Sequence, residues 1–141
     1  MNQRKPLPDE LDPKLDELEA RMDKAIDDGD GEALAQAAEE TWKILPRPVL
    51  EWETQGLVGW CTDSLEEIGE WDALRVWIPR YTEQYGADDP STRILVGILD
   101  YNTGKKEEAQ RILAGVLDEF GPTVFEGRKE YLDVARRGRP Q

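Results

Sequence analysis

Between residues 89 and 121 the chain carries two apolar stripes of helical period, separated by Thr103-Gly104. The first stripe is Ile94, Leu95, Ile98 and Leu99; the second is Ala109, Ile112, Leu113, Val116, Leu117 and Phe120. Recurrence at i, i+3 and i+4 predicts amphipathic helices and excludes strands. Asp89-Pro90 opens the first helix with a side-chain acceptor and a proline whose missing N–H costs nothing at that position. Gly121-Pro122 closes the second. Neither helix can bury its stripe alone, so the pair requires neighbours of the same kind.

The rest of the chain repeats this plan. Leu11, Leu15, Leu18, Met22 and Ile26 mark one face of a helix that opens on Asp12-Pro13 and runs to about Asp28. The turn DDGDG follows, and Leu34, Ala37, Ala38, Thr41, Trp42 and Leu45 mark a second helix that stops before Pro46. Leu50, Leu57, Cys61, Leu65 and Ile68 predict the buried face of a long third helix ending at Gly69. Trp71, Leu74, Trp77, Ile78, Tyr81 and Tyr85 supply its partner, ending at Gly86, with Pro79 inside it; an internal proline predicts a kink or an early end. Residues 122–137 read as one last helix with Phe125, Tyr131, Leu132 and Ala135 inward. Residues 1–10, with Pro6 and Pro8, read as a loose lead-in, and Arg136 to Gln141 as a basic tail.

The turn glycines Gly29, Gly69 and Gly104 are 40 and 35 residues apart, and Pro46, Gly86 and Gly121 each stand seventeen residues past their own turn. The longer first gap places extra residues around 45–53. With Gly97, Tyr101, Gly104, Ala109 and the terminal aromatic and proline, the third unit resembles a tetratricopeptide repeat, whose period is about 34 residues. The resemblance covers about residues 12–121. The small residue after the turn is Ala109 in the third unit but Leu34 and Leu74 in the first two. It implies an all-α, right-handed TPR-like α-solenoid of three antiparallel helix hairpins (about 11–46, 48–86 and 89–121) plus a C-terminal capping helix at 122–137, in a single domain over 11–137 with a tail at 138–141. A generic antiparallel helical array is the other reading of the same pattern.

Chemistry is restricted by composition. The chain has no histidine, so Ser-His-Asp and Cys-His devices are absent. The one cysteine, Cys61, falls on the inward stripe and reads as a small core residue. No Gly-rich phosphate loop is present. DDGDG does not fit a calcium loop: with Gly31 at the sixth position, Ile26 and Ala37 fall at the ligand positions. No catalytic, metal or cofactor role is therefore expected. A formal charge of −13, from 31 acidic and 18 basic residues, opposes nucleic acid and anionic membranes and favours a basic partner. No apolar run approaches the ~20 residues of a spanning helix, and the N-terminus has no apolar signal core, so a cytoplasmic location is expected.

The acids are unevenly placed: residues 9–70 hold nineteen Asp/Glu against five Lys/Arg, a local balance of −14. In the family the first helix of each unit lines the concave surface. Carried over by the turn glycines, the groove positions are Asp16, Glu19, Asp23 and Asp27 in the first unit, Asp63, Glu66 and Glu67 in the second, and Ile94, Ile98, Tyr101 and Asn102 in the third. Such a groove suits a partner segment with Lys or Arg at one end and a bulky apolar residue at the other. Its sign opposes the family's Lys/Arg/Asn clamp for acidic C-termini. Ordinary solvated helix faces are the alternative reading of these acids. Trp52 and Trp60, eight apart, are expected to share an outward helix face, against the first hairpin or at an interface. The expected function is a non-enzymatic protein–protein interaction module. The alternatives are an acidic neutralising (immunity-type) protein for a basic toxin, or an accessory subunit of an enzyme complex.

Overall fold

A computed structural model describes residues 3–137. Among them are seven α-helices: α1 (Asp12–Asp28), α2 (Gly31–Ile44), α3 (Gln55–Ile68), α4 (Trp71–Tyr85), α5 (Pro90–Asn102), α6 (Lys106–Phe120) and α7 (Lys129–Arg137). Short 3-10 turns stand at Asp9–Leu11, Val49–Glu51 and Pro122–Phe125. The only β pairing among the described residues is one parallel bridge, Lys5 with Trp52. Two compact units divide the chain, Met1–Arg80 and Tyr81–Gln141, with the boundary inside α4.

The three expected corners are built alike. A helix leaves its last carbonyls without intrahelical donors, and a residue of positive φ lets the chain fold back to supply them. Gly29 (φ 66), Gly69 (φ 80) and Gly104 (φ 93) provide that backbone. The next residue then donates its N–H to the carbonyl five positions back: Asp30 to Ala25 (2.8 Å), Glu70 to Leu65 (3.0 Å) and Lys105 to Asp100 (2.9 Å). The same three residues accept the first bond of the following helix, from Leu34, Leu74 and Ala109 (3.0, 2.9 and 3.0 Å). Those three side chains are fully buried. At the first corner the Asp30 carboxylate also accepts from Ala33 N (3.0 Å), so within DDGDG Gly29 ends α1 and Asp30 caps the start of α2. Gly86 and Gly121 are likewise equivalent: both have positive φ, and both donate to the carbonyl four back, Thr82 and Leu117.

In the N-terminal unit α2 packs against both α1 and α3. Leu18, Met22 and Ala25 of α1 and Leu34, Ala37 and Ala38 of α2 are buried. Val58, Cys61 and Leu65 of α3 are sealed as well. From α4, Trp77 meets Trp42 of α2 edge to face at 5.9 Å. The Arg80 guanidinium lies over both rings, 4.5 Å from Trp42 and 4.8 Å from Trp77. It also donates twice to Glu39, at 2.6 and 3.0 Å. A Cβ on Gly31, the first residue of α2, would lie 2.8 Å from Glu70 Cδ, so the second corner rests against the first.

In the C-terminal unit α5 opens as read, with the Asp89 carboxylate accepting from Ser91 N (2.9 Å) and Pro90 first in the helix. It packs against α6, and α6 packs against α7. A Cβ on Gly97 would lie 2.8 Å from Leu113 Cδ2 and 2.9 Å from its Cγ, so the missing side chain sets the α5–α6 approach. Asn102 Nδ2 donates to Ile98 O (2.8 Å) and to the Tyr131 hydroxyl (3.0 Å), joining α5 to α7.

Several expectations need correction. The third helix starts only at Gln55; Leu50 lies outside it in a 3-10 turn, 39% exposed, and Val49 is buried instead. Trp52 therefore precedes the helix and shares no helix face with Trp60. The lead-in is not loose at Lys5, whose N–H and carbonyl pair with Glu51 O and Glu53 N, both at 2.8 Å. This bridge occupies the longer first connection. Asp12 does not cap α1, which continues from the turn Asp9–Leu11. Pro79 does not end α4, which runs on to Tyr85. The last helix is α7 alone: Gly127 (φ 79) breaks residues 122–137 into a 3-10 turn and a short helix. Arg136 and Arg137, expected in the tail, belong to α7; the remaining tail, 138–141, lies outside the described residues.

Candidate partner-binding surface

The N-terminal unit holds twenty Asp/Glu against nine Lys/Arg, a net −11; residues 81–141 hold eleven against nine, a net −2. Much of the N-terminal unit's positive charge is already engaged. Arg21 pairs with Glu40 (2.5 Å), Lys24 with Asp28 (2.9 Å), Lys14 with Glu17 (3.4 Å) and Arg80 with Glu39. Arg47 donates to the carbonyls of Leu45 and Trp42. The hydrogen bond from Arg80 holds the Glu39 carboxyl below its ordinary range, and that from Arg21 does the same for Glu40. Hydrogen bonding to Asp28 raises the Lys24 ammonium.

What remains open on α1 is the set read from the sequence. Asp16, Glu19, Asp23 and Asp27 are all exposed, and none forms an ion pair among the described residues. At 100° and 1.5 Å per residue they fall within an arc of about 80° and span about 16 Å. On α3, Asp63 and Glu67 are exposed and Glu66 is half-buried. The two sets are carried by helices that both pack on α2.

The four positions in the C-terminal unit are different. Ile94 and Ile98 are fully buried and have no surface to offer a partner; with Leu95 they form the core of α5. Tyr101 and Asn102 are half-buried. Tyr101 meets the Tyr131 ring at 6.1 Å and lies under the Lys106 ammonium, and both Asn102 amide donor contacts are internal. Ile94 and Ile98 are thus interior, on the helix whose Gly97 lies against Leu113 and Ile112 of α6, while Tyr101 and Asn102 meet Tyr131 of α7. Cys61 is a core residue as read: burial pushes its thiol up to about 12, far from a reactive thiolate.

The Glu39–Arg80–Trp42–Trp77 cluster escaped sequence reasoning, because Glu39 and Arg80 lie 41 residues apart and carry no local signal. No described helix is long and apolar enough to cross a membrane. Comparison with family models, with curated proteins and with solved structures finds no match.

Proposed function

We propose that the chain is a non-enzymatic protein–protein interaction module of the cytoplasm, built as a tetratricopeptide-like solenoid, whose acidic N-terminal unit binds a basic partner. The observation that carries this reading is the row Asp16, Glu19, Asp23 and Asp27 on α1, exposed and without ion pairs in a unit of net −11. Unneutralised charge of one sign raises association rates and selects partners of the opposite sign. Support for the solenoid comes from three corners of one geometry and from helices that contact in chain order, α1–α2–α3 and α5–α6–α7. In such an array each layer buries the stripe of the one before it. A partner helix with lysines at i, i+3, i+7 and i+11 presents its ammoniums at the spacing of the α1 carboxylates.

A synthetic helix of that pattern tests the reading by titration calorimetry. Reversing Asp16 and Asp23 to lysine is expected to weaken binding by about tenfold or more, with the circular dichroism unchanged. Reversing Glu130 and Asp133 on α7, both exposed, changes net charge equally and is expected to leave affinity within about twofold. Equal losses from both pairs would reduce the effect to overall charge and remove the site.

A further inference from the structure

The bridge between the N-terminus and residues 51–53 has the form of an occupied peptide site. The receiving segment is held by its own bonds. The fully buried Thr54 hydroxyl donates to Val49 O (2.8 Å), Glu51 N donates to Pro48 O (3.1 Å), and Trp52 N donates to Val49 O (3.2 Å). It presents Glu51 O and Glu53 N to an extended chain, and Lys5 takes both, at 2.8 Å each. The Lys5 ammonium lies 5.3 Å from the Trp52 ring centroid and 4.0 Å from the Glu51 carboxylate. Backbone pairing, an aromatic face and an acid thus recognise one extended, cation-bearing residue. The occupant is held lightly: Lys5 and Glu51 side chains are 62% and 59% exposed, and exposed ion pairs are weak because water and salt screen them.

We propose that residues 3–8 are a displaceable internal occupant of this edge, and that its external ligand is an extended segment carrying Lys or Arg at the Lys5 position. Pro8, three residues past Lys5, has extended, polyproline-like backbone (φ −58, ψ 138), so proline at that offset from the cation lowers the ordering cost of such a ligand. A tethered occupant acts at an effective concentration of order millimolar, which masks the edge from weak ligands and yields to strong or multivalent ones. The inference shares with the proposed function only the reading of this unit as a receiver of cations.

The Glu53 amide, which donates to Lys5 O, reports on the bridge alone. In the full chain Lys5→Glu is expected to speed its hydrogen exchange about fivefold or more. An excess of synthetic peptide with the sequence of residues 1–8 is expected to restore protection, and the same peptide carrying Lys5→Glu is not. Unchanged exchange in the variant, or faster exchange that the native peptide fails to reverse, would overturn the proposal. Because the α1 carboxylates do not touch this amide bond, either failure leaves the reading of α1 standing, and failure of α1 leaves this test intact.

Discussion

Replacing Gly97 with leucine is expected to destabilise the protein by about 3 kcal/mol or more and to lower the thermal midpoint by about 10 °C. Gly97 is buried in the middle of α5, and even a single Cβ there would stand 2.8 and 2.9 Å from Leu113 Cδ2 and Cγ and 3.5 Å from Ile112. Leu113 is itself fully buried, so the encroached atoms have nowhere to move without opening the α5–α6 contact. Alanine at the same position meets the same first atom but gains about 1 kcal/mol of helix propensity, so its net loss is expected to be about 1–2 kcal/mol. Gly115 on α6 is the control: its nearest neighbour is Arg93 Nη2 at 3.5 Å, an ordinary contact with a side-chain tip. Gly115→Ala is therefore expected to be neutral or stabilising by up to about 1 kcal/mol. Chemical denaturation of the three variants decides the matter, and equal behaviour of Gly97→Ala and Gly115→Ala would show that Gly97 does not set the approach.

Arg80→Met is expected to cost about 2–3 kcal/mol. Methionine keeps the length of the stem but loses two charge-assisted bonds to Glu39 and the cation over Trp42 and Trp77. It also leaves a half-buried carboxylate without its partner. The acid limb of stability should change with it. Hydrogen bonding to Arg80 lowers the Glu39 pKa on folding, so the stabilisation is complete above the unfolded carboxyl value of about 4.3 and is lost as pH falls through the lower folded value. The wild-type protein is thus expected to lose stability more steeply below about pH 4 than Arg80→Met does. Parallel denaturation curves for the two proteins between pH 6 and pH 3 would contradict the pairing; these limits bracket about the ordinary carboxyl range.

The helices were legible because their signals are local. Proline at N1, glycine at a corner and apolar residues at i, i+3, i+4 act within one turn of chain, and seven helices with corners at Gly29, Gly69 and Gly104 followed from them. Gly97 stood out in the sequence only through the repeat resemblance, and the structure places it at the α5–α6 approach. What was missed depends on residues distant in sequence. Leu50 resembles the start of the α3 stripe, but the bridge to Lys5 holds residues 51–53 extended and delays the helix to Gln55. Gly127 was passed over because a polar residue on each side gave no break in pattern; its positive φ shortens the last helix to nine residues. In the site, Asp16, Glu19, Asp23 and Asp27 are exposed on α1. Ile94 and Ile98 are buried; periodicity marks an apolar residue as facing something without saying whether that is a partner or α5's own neighbours.

The most direct measurement is an amide chemical-shift map of the uniformly labelled full chain as the lysine-patterned helix is added. If the N-terminal unit receives basic partners along α1, shifts concentrate at Asp16, Glu19, Asp23 and Asp27 and on the exposed side of α3, and they shrink as salt is raised. Shifts centred on α5 to α7, or spread evenly over the acids of both units, would contradict it.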